Sequence, residues 1–237
     1  MTVWREVEEA LEGIIDDYER VNHLISFNQD DHARSRGLEK IGHTLGPALE
    51  LGSGPGSFTL RLRPTVRGFL VCLDYSDKML TAGRARTKSE GMDYVRAIFE
   101  MLPFREGVFN LAAAAYALRD STDKERSLQE IGRVLKPGGR LLVVDIGKPN
   151  NPLLRGFFSL YMRYIVPIIG GLAAGNGYRN PWSVLYETFA FLPLNRALEE
   201  MMRKAMGRSD LEEMAFGGLV VAVAKKSRGE RTRSEGC

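Results

Sequence analysis

A chain of 237 residues, 44% hydrophobic, with 33 Lys and Arg against 30 Asp and Glu, can build one large core and is too evenly charged to call for a nucleic-acid partner. Its two cysteines, Cys72 in an apolar run and Cys237 at the last position, exclude a disulfide framework or a cysteine zinc centre, and no metal site is expected. A reducing cytoplasm suits this composition.

Val3, Val7, Leu11, Ile14 and Ile15 recur at helical spacing, which predicts an amphipathic first helix without the apolar stretch of an export signal. A polar segment with Asn22, His23, Ser26, Phe27 and Asn28 leads into a second helical stretch that Gly46-Pro47 stops. Residues 1–47 thus read as a helical cap. From residue 48, strands at 48–51, 69–75, 92–99, 109–118 and 140–147 alternate with helices at 76–89 and 123–135, the second ended by Lys136-Pro137-Gly138-Gly139. Unbroken apolar runs such as Phe69–Leu73 and Leu141–Val144 fit a sheet covered on both faces.

Residues 151–207 are predicted as a helical insertion. Its first part crowds Phe157, Phe158, Leu160, Tyr161, Met162, Tyr164, Ile165, Val166, Ile168 and Ile169 together, yet Arg155, Arg163, Pro167 and Gly170-Gly171 interrupt it. A buried or lid helix is favoured over a membrane span. A single helical stretch follows over 181–205. Two closing runs, Leu211–Phe216 and Leu219–Ala224, flank Gly217-Gly218 as a hairpin within 208–226, and the basic remainder 227–237 reads as a solvated tail. The fold class is α/β: a Rossmann-like, doubly wound, mostly parallel seven-stranded sheet whose last strand is antiparallel, with 48–150 as its binding core.

The run Leu49-Glu50-Leu51-Gly52-Ser53-Gly54-Pro55-Gly56 places an acid and three alternating glycines where a strand turns toward a helix. There the backbone lies against a ligand with no side chain between them. Asp74 ends the next strand, 24 positions after Glu50, and an ionised carboxylate there accepts from both hydroxyls of a ribose. A helix cap is the alternative for Asp74, and a structural carboxylate for Glu50. His32 and His43 sit in polar helical surroundings and read as surface side chains.

The spacing E-x-G-x-G-x-G resembles the first motif of class I S-adenosylmethionine-dependent methyltransferases. Further stretches resemble the ubiquinone/menaquinone biosynthesis C-methyltransferase family: Tyr116-Ala117-Leu118-Arg119-Asp120-Ser121-Thr122-Asp123, then Arg133-Val134-Leu135-Lys136-Pro137-Gly138-Gly139, then Lys148-Pro149. The segment Tyr18–Phe27, the step Leu102-Pro103-Phe104 and the closing Gly218–Ala222 extend the likeness from about Tyr18 to Lys226. The chain departs from the family pattern at Asp120, where Asn is usual, at His23, where an acid is usual, and at Ile98, where Asp or Asn commonly meets the adenine.

The resemblance implies S-adenosylmethionine as cofactor, held by Glu50, Gly52, Ser53, Gly54, Gly56, Asp74, Tyr75, Met79, Ile98, Phe99 and Tyr116. It implies methylation of a ring carbon of a prenylated quinol, with Arg119 and Asp120 at the reacting ring and Tyr18, Asn22 and His23 closing the pocket from the amino-terminal side. Arginine is a poor direct base, and of the group only His23 titrates naturally near neutrality. The resemblance also implies a homodimer and a peripheral membrane contact. Another small-molecule or lipid methyltransferase, and a non-catalytic binding protein, stay open as alternatives.

Overall fold

The computed structural model describes residues 18–88, 90–174, 182 and 184–228. The predicted first helix over 3–15 and the tail beyond Arg228 lie outside the described residues. The chain starts with α1 (Tyr18–Ser26) and α2 (Gln29–Ile41), joined at Phe27 and Asn28, both in the left-handed region. A seven-stranded sheet follows, in the order β5 (Met92–Arg96), β4 (Leu70–Asp74), β2 (Ala48–Leu51), β6 (Phe109–Ala115), β7 (Leu135–Ile146), β9 (Leu219–Lys226) and β8 (Gly207–Met214). The first five strands are parallel, and β9 runs antiparallel to both of its neighbours. Two short strands, β1 (Thr44–Leu45) and β3 (Val66–Arg67), pair beside it.

Strand alternation divides the core. Leu49, Leu51, Val71, Leu73, Leu141 and Val143 face α5 (Lys124–Val134) and α9 (Asn195–Met206). Ala48, Leu70, Cys72, Leu142 and Val144 face α2 and the short α3 (Thr59–Leu62). The sheet is therefore covered on both faces, as its unbroken apolar runs require. Helix α4 (Asp77–Thr87) starts on Ser76, whose hydroxyl accepts from the Met79 amide, and Asp123 caps α5 in the same way through Arg126.

Three predicted boundaries shift for local reasons. The Lys136–Gly139 stretch does not separate α5 from its strand: β7 starts at Leu135, opposite Phe109, and the four residues loop out before pairing resumes at Arg140 opposite Leu111. The stretch 181–205 is not one helix, because Pro193 falls between α8 (Val184–Ala190) and α9. The apolar segment forms α6 (Pro152–Leu160), a π-helical turn at Tyr161–Ile165, and α7 (Val166–Ala174).

Of the two readings of this segment, a buried or a lid helix, full burial does not hold. Residues Pro152–Ala173 are long and apolar enough by length and composition to cross a membrane, but one stripe is already engaged by the protein. Met162 and Val166 pack with Val21 of α1 and with Trp182, the Tyr161 hydroxyl donates to Ile25 O at 2.6 Å, and Arg20 donates to Ala173 O. The opposite stripe of Leu153, Phe157, Leu160, Tyr164 and Ile168 is exposed. With one stripe packed on α1 and the other open, the segment lies along the domain surface.

Gly170 makes this packing possible, because a Cβ there falls 2.8 Å from Trp182 Cγ. Gly170→Val is expected to cost about 1–3 kcal/mol by overpacking, read in a thermal melt as a fall of roughly 2–4 °C per kcal/mol. Gly156→Ala, on the same segment with open space around it, is the control and is expected to raise Tm slightly.

Candidate functional site

Parallel strands deliver their following loops to one edge of the sheet, and the candidate residues gather there. The loop after β2 turns on Gly52, Gly54 and Gly56, all with positive φ. Gly52 is forced by close approach, since a Cβ would meet that of Ala117 at 2.3 Å, whereas Gly54 faces open space. This loop is fastened to the next strand by Asp74. One carboxylate oxygen accepts from the Gly54 amide at 2.8 Å and the other from the Ser76 amide at 3.0 Å. Burial nevertheless pushes the pKa of Asp74 above its ordinary value, against the pull of these amide bonds.

Glu50 points into the sheet face shared with α3 and is 1% exposed, with Cys72 Sγ 3.8 Å from its carboxylate. Burial pushes its pKa up to about 8, against the opposing pull of Thr59 and Cys72. Asp74, rather than Glu50, therefore ties down the glycine turn. Ser53 is buried and its hydroxyl has no partner among the described residues. A buried donor without a partner beside an open glycine backbone suits a polar ligand lying on this loop.

Around this loop Met79 is buried under α4, Tyr75 is half exposed with Arg96 above its ring, and Ile98 is 41% exposed. Phe99 comes within 3.3 Å of the space a Gly52 side chain would fill. Ile98, Tyr75 and Phe99 supply apolar surface beside the loop, which suits a flat aromatic group.

The loop after β6 carries the second cluster. Tyr116 is buried in the left-handed region at φ 57°, and Leu118–Asp120 form a single 3-10 turn. Arg119 is buried. Its amide donates to Asp145 Oδ2 at 3.1 Å, Nη1 donates to Asp145 Oδ1 at 3.4 Å, and Nε lies 3.4 Å from Asp120 Oδ1. Burial raises Asp120 to about 6 although Arg119 pulls the other way, and it raises Asp145 as well. Glu100 holds this turn by accepting from Ser121, Thr122 and the Asp123 amide.

A third group comes from the cap. The Asp30 carboxylate accepts from Ser26 Oγ at 2.6 Å and from Arg34 Nη1 at 2.7 Å, and lies 3.0 Å from His23 Nδ1. Burial alone would raise Asp30, but Ser26, His23 and Arg34 together hold it below its ordinary value. Arg34 sits 4.9 Å from the Tyr116 ring centre, and the Tyr116 hydroxyl donates to Asp30 O at 3.4 Å. Arg61 of α3 pairs with Asp31, and Arg86 of α4 with Glu19, so α1 and α2 are fastened over the glycine loop.

The predicted residues after β2, β4, β5 and β6 are thus brought to one edge. Tyr18 begins α1 with its side chain outside the described residues. Asn22 and His23 are partly exposed on α1, and His32 and His43 are exposed as expected. Arg119 pairs with Asp120, and its second partner, Asp145, was not predicted. The signal was present: Val143-Val144-Asp145 brings an acid to the carboxyl-terminal end of a buried apolar run, as Leu49-Glu50 and Cys72-Leu73-Asp74 do, within one residue of each strand's last position. Asp30 and Arg34 were also missed. They are spaced four apart in a polar helix, which reads as an exposed ion pair.

The model of the ubiE/COQ5 methyltransferase family matches residues 2–226. A demethylmenaquinone methyltransferase of Lactococcus lactis subsp. lactis strain IL1403 is 31% identical over 234 residues, covering 96% of this chain and 92% of the relative. One of the same name from Staphylococcus aureus strain JH9 is 31% identical over 222 residues, covering 92% and 91%. Among solved structures, an S-adenosylmethionine-dependent methyltransferase of Thermotoga maritima, described as a possible histamine N-methyltransferase, superposes with a TM-score of 0.66 at 21% identity over 93% of this chain and all of that one. The N-methyltransferase NodS of Bradyrhizobium japonicum WM9, solved with S-adenosyl-L-homocysteine, gives 0.64 at 14% identity over 95% and 99%. These two likenesses bear on the fold. With the family model spanning nearly the whole sequence, the chain belongs to the ubiE/COQ5 methyltransferase family and is an S-adenosylmethionine-dependent methyltransferase.

Proposed function

We propose that this enzyme methylates a ring carbon of a prenylated quinol such as demethylmenaquinol. The observation that carries the reading is the exposed apolar stripe Leu153, Phe157, Leu160, Tyr164 and Ile168, on a helix packed against α1, which itself closes over the site. An acceptor with a long apolar tail and a polar ring needs such a surface next to a polar pocket. The names carried by the 31% identical relatives support the same acceptor. The stripe rests on the bilayer in which such a quinol dissolves, with the enzyme peripheral to it.

Bound S-adenosylmethionine supplies an electrophilic methyl group. Gly52, Ser53, Gly54 and Gly56 would hold its amino-acid end, Glu50 would supply negative charge for its ammonium, Asp74 would accept from the ribose, and Tyr75, Met79, Ile98 and Phe99 would enclose the adenine. Because Asp74 already accepts two amide bonds, the ribose uses its remaining lone pairs. Arg119 steadies the negative charge that develops on the phenol oxygen. In the resting protein Asp120 and Asp145 pair with its guanidinium, and burial raises both carboxyls, Asp120 to about 6. Positioning of the ring contributes several kcal/mol, on the order of the lower part of the range for oriented reactants.

Two outcomes are expected. Glu50 holds a proton in the folded, cofactor-free protein up to about pH 8, while in the unfolded chain it ionises near the ordinary carboxylate value. Its folded value is raised, so its stability contribution is complete at low pH and lost as pH rises through about 8. Glu50→Gln removes that loss: its Tm matches wild type near pH 5 and exceeds it at pH 8.5. Calorimetry should also show weaker S-adenosylmethionine binding by the variant, and wild-type affinity that rises from pH 6 to 8.5. A pH-independent affinity would count against Glu50 as the partner of the ammonium.

Phe157→Asp, at an exposed site, should lower turnover of a long-tailed quinol in phosphatidylcholine–phosphatidylglycerol vesicles by about tenfold or more. Turnover of a short-tailed analogue and binding of S-adenosylmethionine should be kept. Equal turnover of both quinols by the variant would remove the stripe from the reading, and a stable dimer lost in the variant would reassign it to a second copy.

A further inference from the structure

We propose that His23 accepts the phenolic proton of the acceptor through Nε2 and that Asp30 is its positioning residue, an assignment that rests on the quinol reading above. The geometry is that of a base oriented by a buried carboxylate. His23 Nδ1 lies 3.0 Å from one Asp30 oxygen and 3.1 Å from the other. With Nδ1–H donated to Asp30, the lone pair is left on Nε2. Asp31 Oδ2 lies 3.8 Å from Nε2, beyond hydrogen-bond distance, so the nitrogen is uncommitted to that group. The imidazole is 31% exposed, whereas Asp30 is 4% exposed.

Asp30 is itself immobilised. Ser26 Oγ and Arg34 Nη1 both donate to its carboxylate, Arg34 is buried over the Tyr116 ring, and the Tyr116 hydroxyl reaches the Asp30 carbonyl. Tyr116 begins the turn that carries Arg119, so the pair is fastened to the strand end where the phenolate is received. The charged groups facing the imidazole are Asp30 and Asp31 of α2, backed by Arg34 of α2 and by Arg61 of α3. His23, Asp30 and Asp31 also place ligand-type atoms within 4.8 Å of one another, but Arg34 and Arg61 already occupy the carboxylates, so the cluster is ion-paired within the protein.

In the step, the phenol O–H bond breaks, an N–H bond forms at Nε2, and the electron pair left on oxygen enriches the ring carbon beside it. That carbon forms its bond to the methyl group while the methyl–sulfur bond breaks with its electron pair going to sulfur. The ring C–H proton then leaves to water, and the imidazolium returns its proton to the product oxygen or to solvent. Negative charge on oxygen is met by Arg119 throughout.

The experiment compares wild type, His23→Gln, Asp30→Asn and Asp120→Asn in methyl transfer to demethylmenaquinol across pH 5.5–9. Imidazole nitrogen NMR of the acceptor-free protein and calorimetry with S-adenosylmethionine accompany it. The expected result is a fall in kcat of about 10²-fold or more for His23→Gln at pH 7, with the acid-side limb of kcat/KM gone. Asp30→Asn should lower kcat at least tenfold with the cofactor affinity unchanged, and NMR should show an Nδ1–H tautomer at His23 that becomes mixed in that variant.

An acid limb kept in His23→Gln and lost in Asp120→Asn would overturn the proposal while leaving the quinol reading intact. If wild type binds the cofactor but does not methylate the quinol, the acceptor reading fails. The nitrogen spectrum then decides separately: a tautomer at His23 that Asp30→Asn leaves unchanged removes Asp30 as its positioning residue.

Discussion

The site depends on a constraint of parallel sheets: every crossover returns to the same edge, so the loops after β2, β4, β5, β6 and β7 share one strip of surface. What makes that strip a pocket is a single carboxylate. Asp74 holds the Gly54 amide with one oxygen and the Ser76 amide with the other, locking the glycine loop after β2 to the start of α4. The loop's left-handed turns then hold its backbone open at Gly54 while Gly52 lies against Ala117.

Ionisable groups accumulate at this edge because it is where buried strands meet polar ligands. Glu50, Asp74, Asp120 and Asp145 all have raised pKa values for the same reason, burial. Their surroundings separate them. Asp145 and Asp120 share Arg119, Asp74 is bonded to backbone amides, and Glu50 has only a thiol and a hydroxyl near its carboxylate. An enzyme that must accept a cationic cofactor gains from a carboxylate left without a cation of its own, and Glu50 meets that condition.

The sheet and the glycine loop were legible in the sequence because a doubly covered parallel sheet demands unbroken apolar strands, and because Glu50 and Asp74 stand at or next to the last position of theirs. Asp145 carries the same signature but has no glycine motif beside it, so its pairing with Arg119 emerged only from the folded chain. Helix α2 was expected, but its buried face hid for a different reason. Its buried face is built from Asp30, Ala33, Arg34, Gly37 and Ile41, with Gly37 small enough to approach Val144, so the large apolar residues that reveal helical periodicity are nearly absent. The Lys136–Gly139 loop was misplaced because a bulge within a strand and a loop before one share the same turn residues. Composition leaves open whether the Pro152–Ala174 segment is buried or a surface lid, because it does not distinguish the stripe that packs on Trp182 from the one that stays exposed.

Family membership places methyl transfer from S-adenosylmethionine on this fold, and in the proposed reading the cap and the apolar helix receive the acceptor. The cap is tied by Arg61–Asp31 and Arg86–Glu19 to α3 and α4, the helices that follow the glycine loop and Asp74. Calorimetric titration of the wild type and of Asp74→Ala with S-adenosylhomocysteine tests the dependence of the site on Asp74 most directly. The account predicts one binding event in wild type and a loss of affinity of about 10²-fold or more in the variant, since both the loop anchor and a charged acceptor are removed. A folded Asp74→Ala protein that binds as tightly as wild type would contradict it.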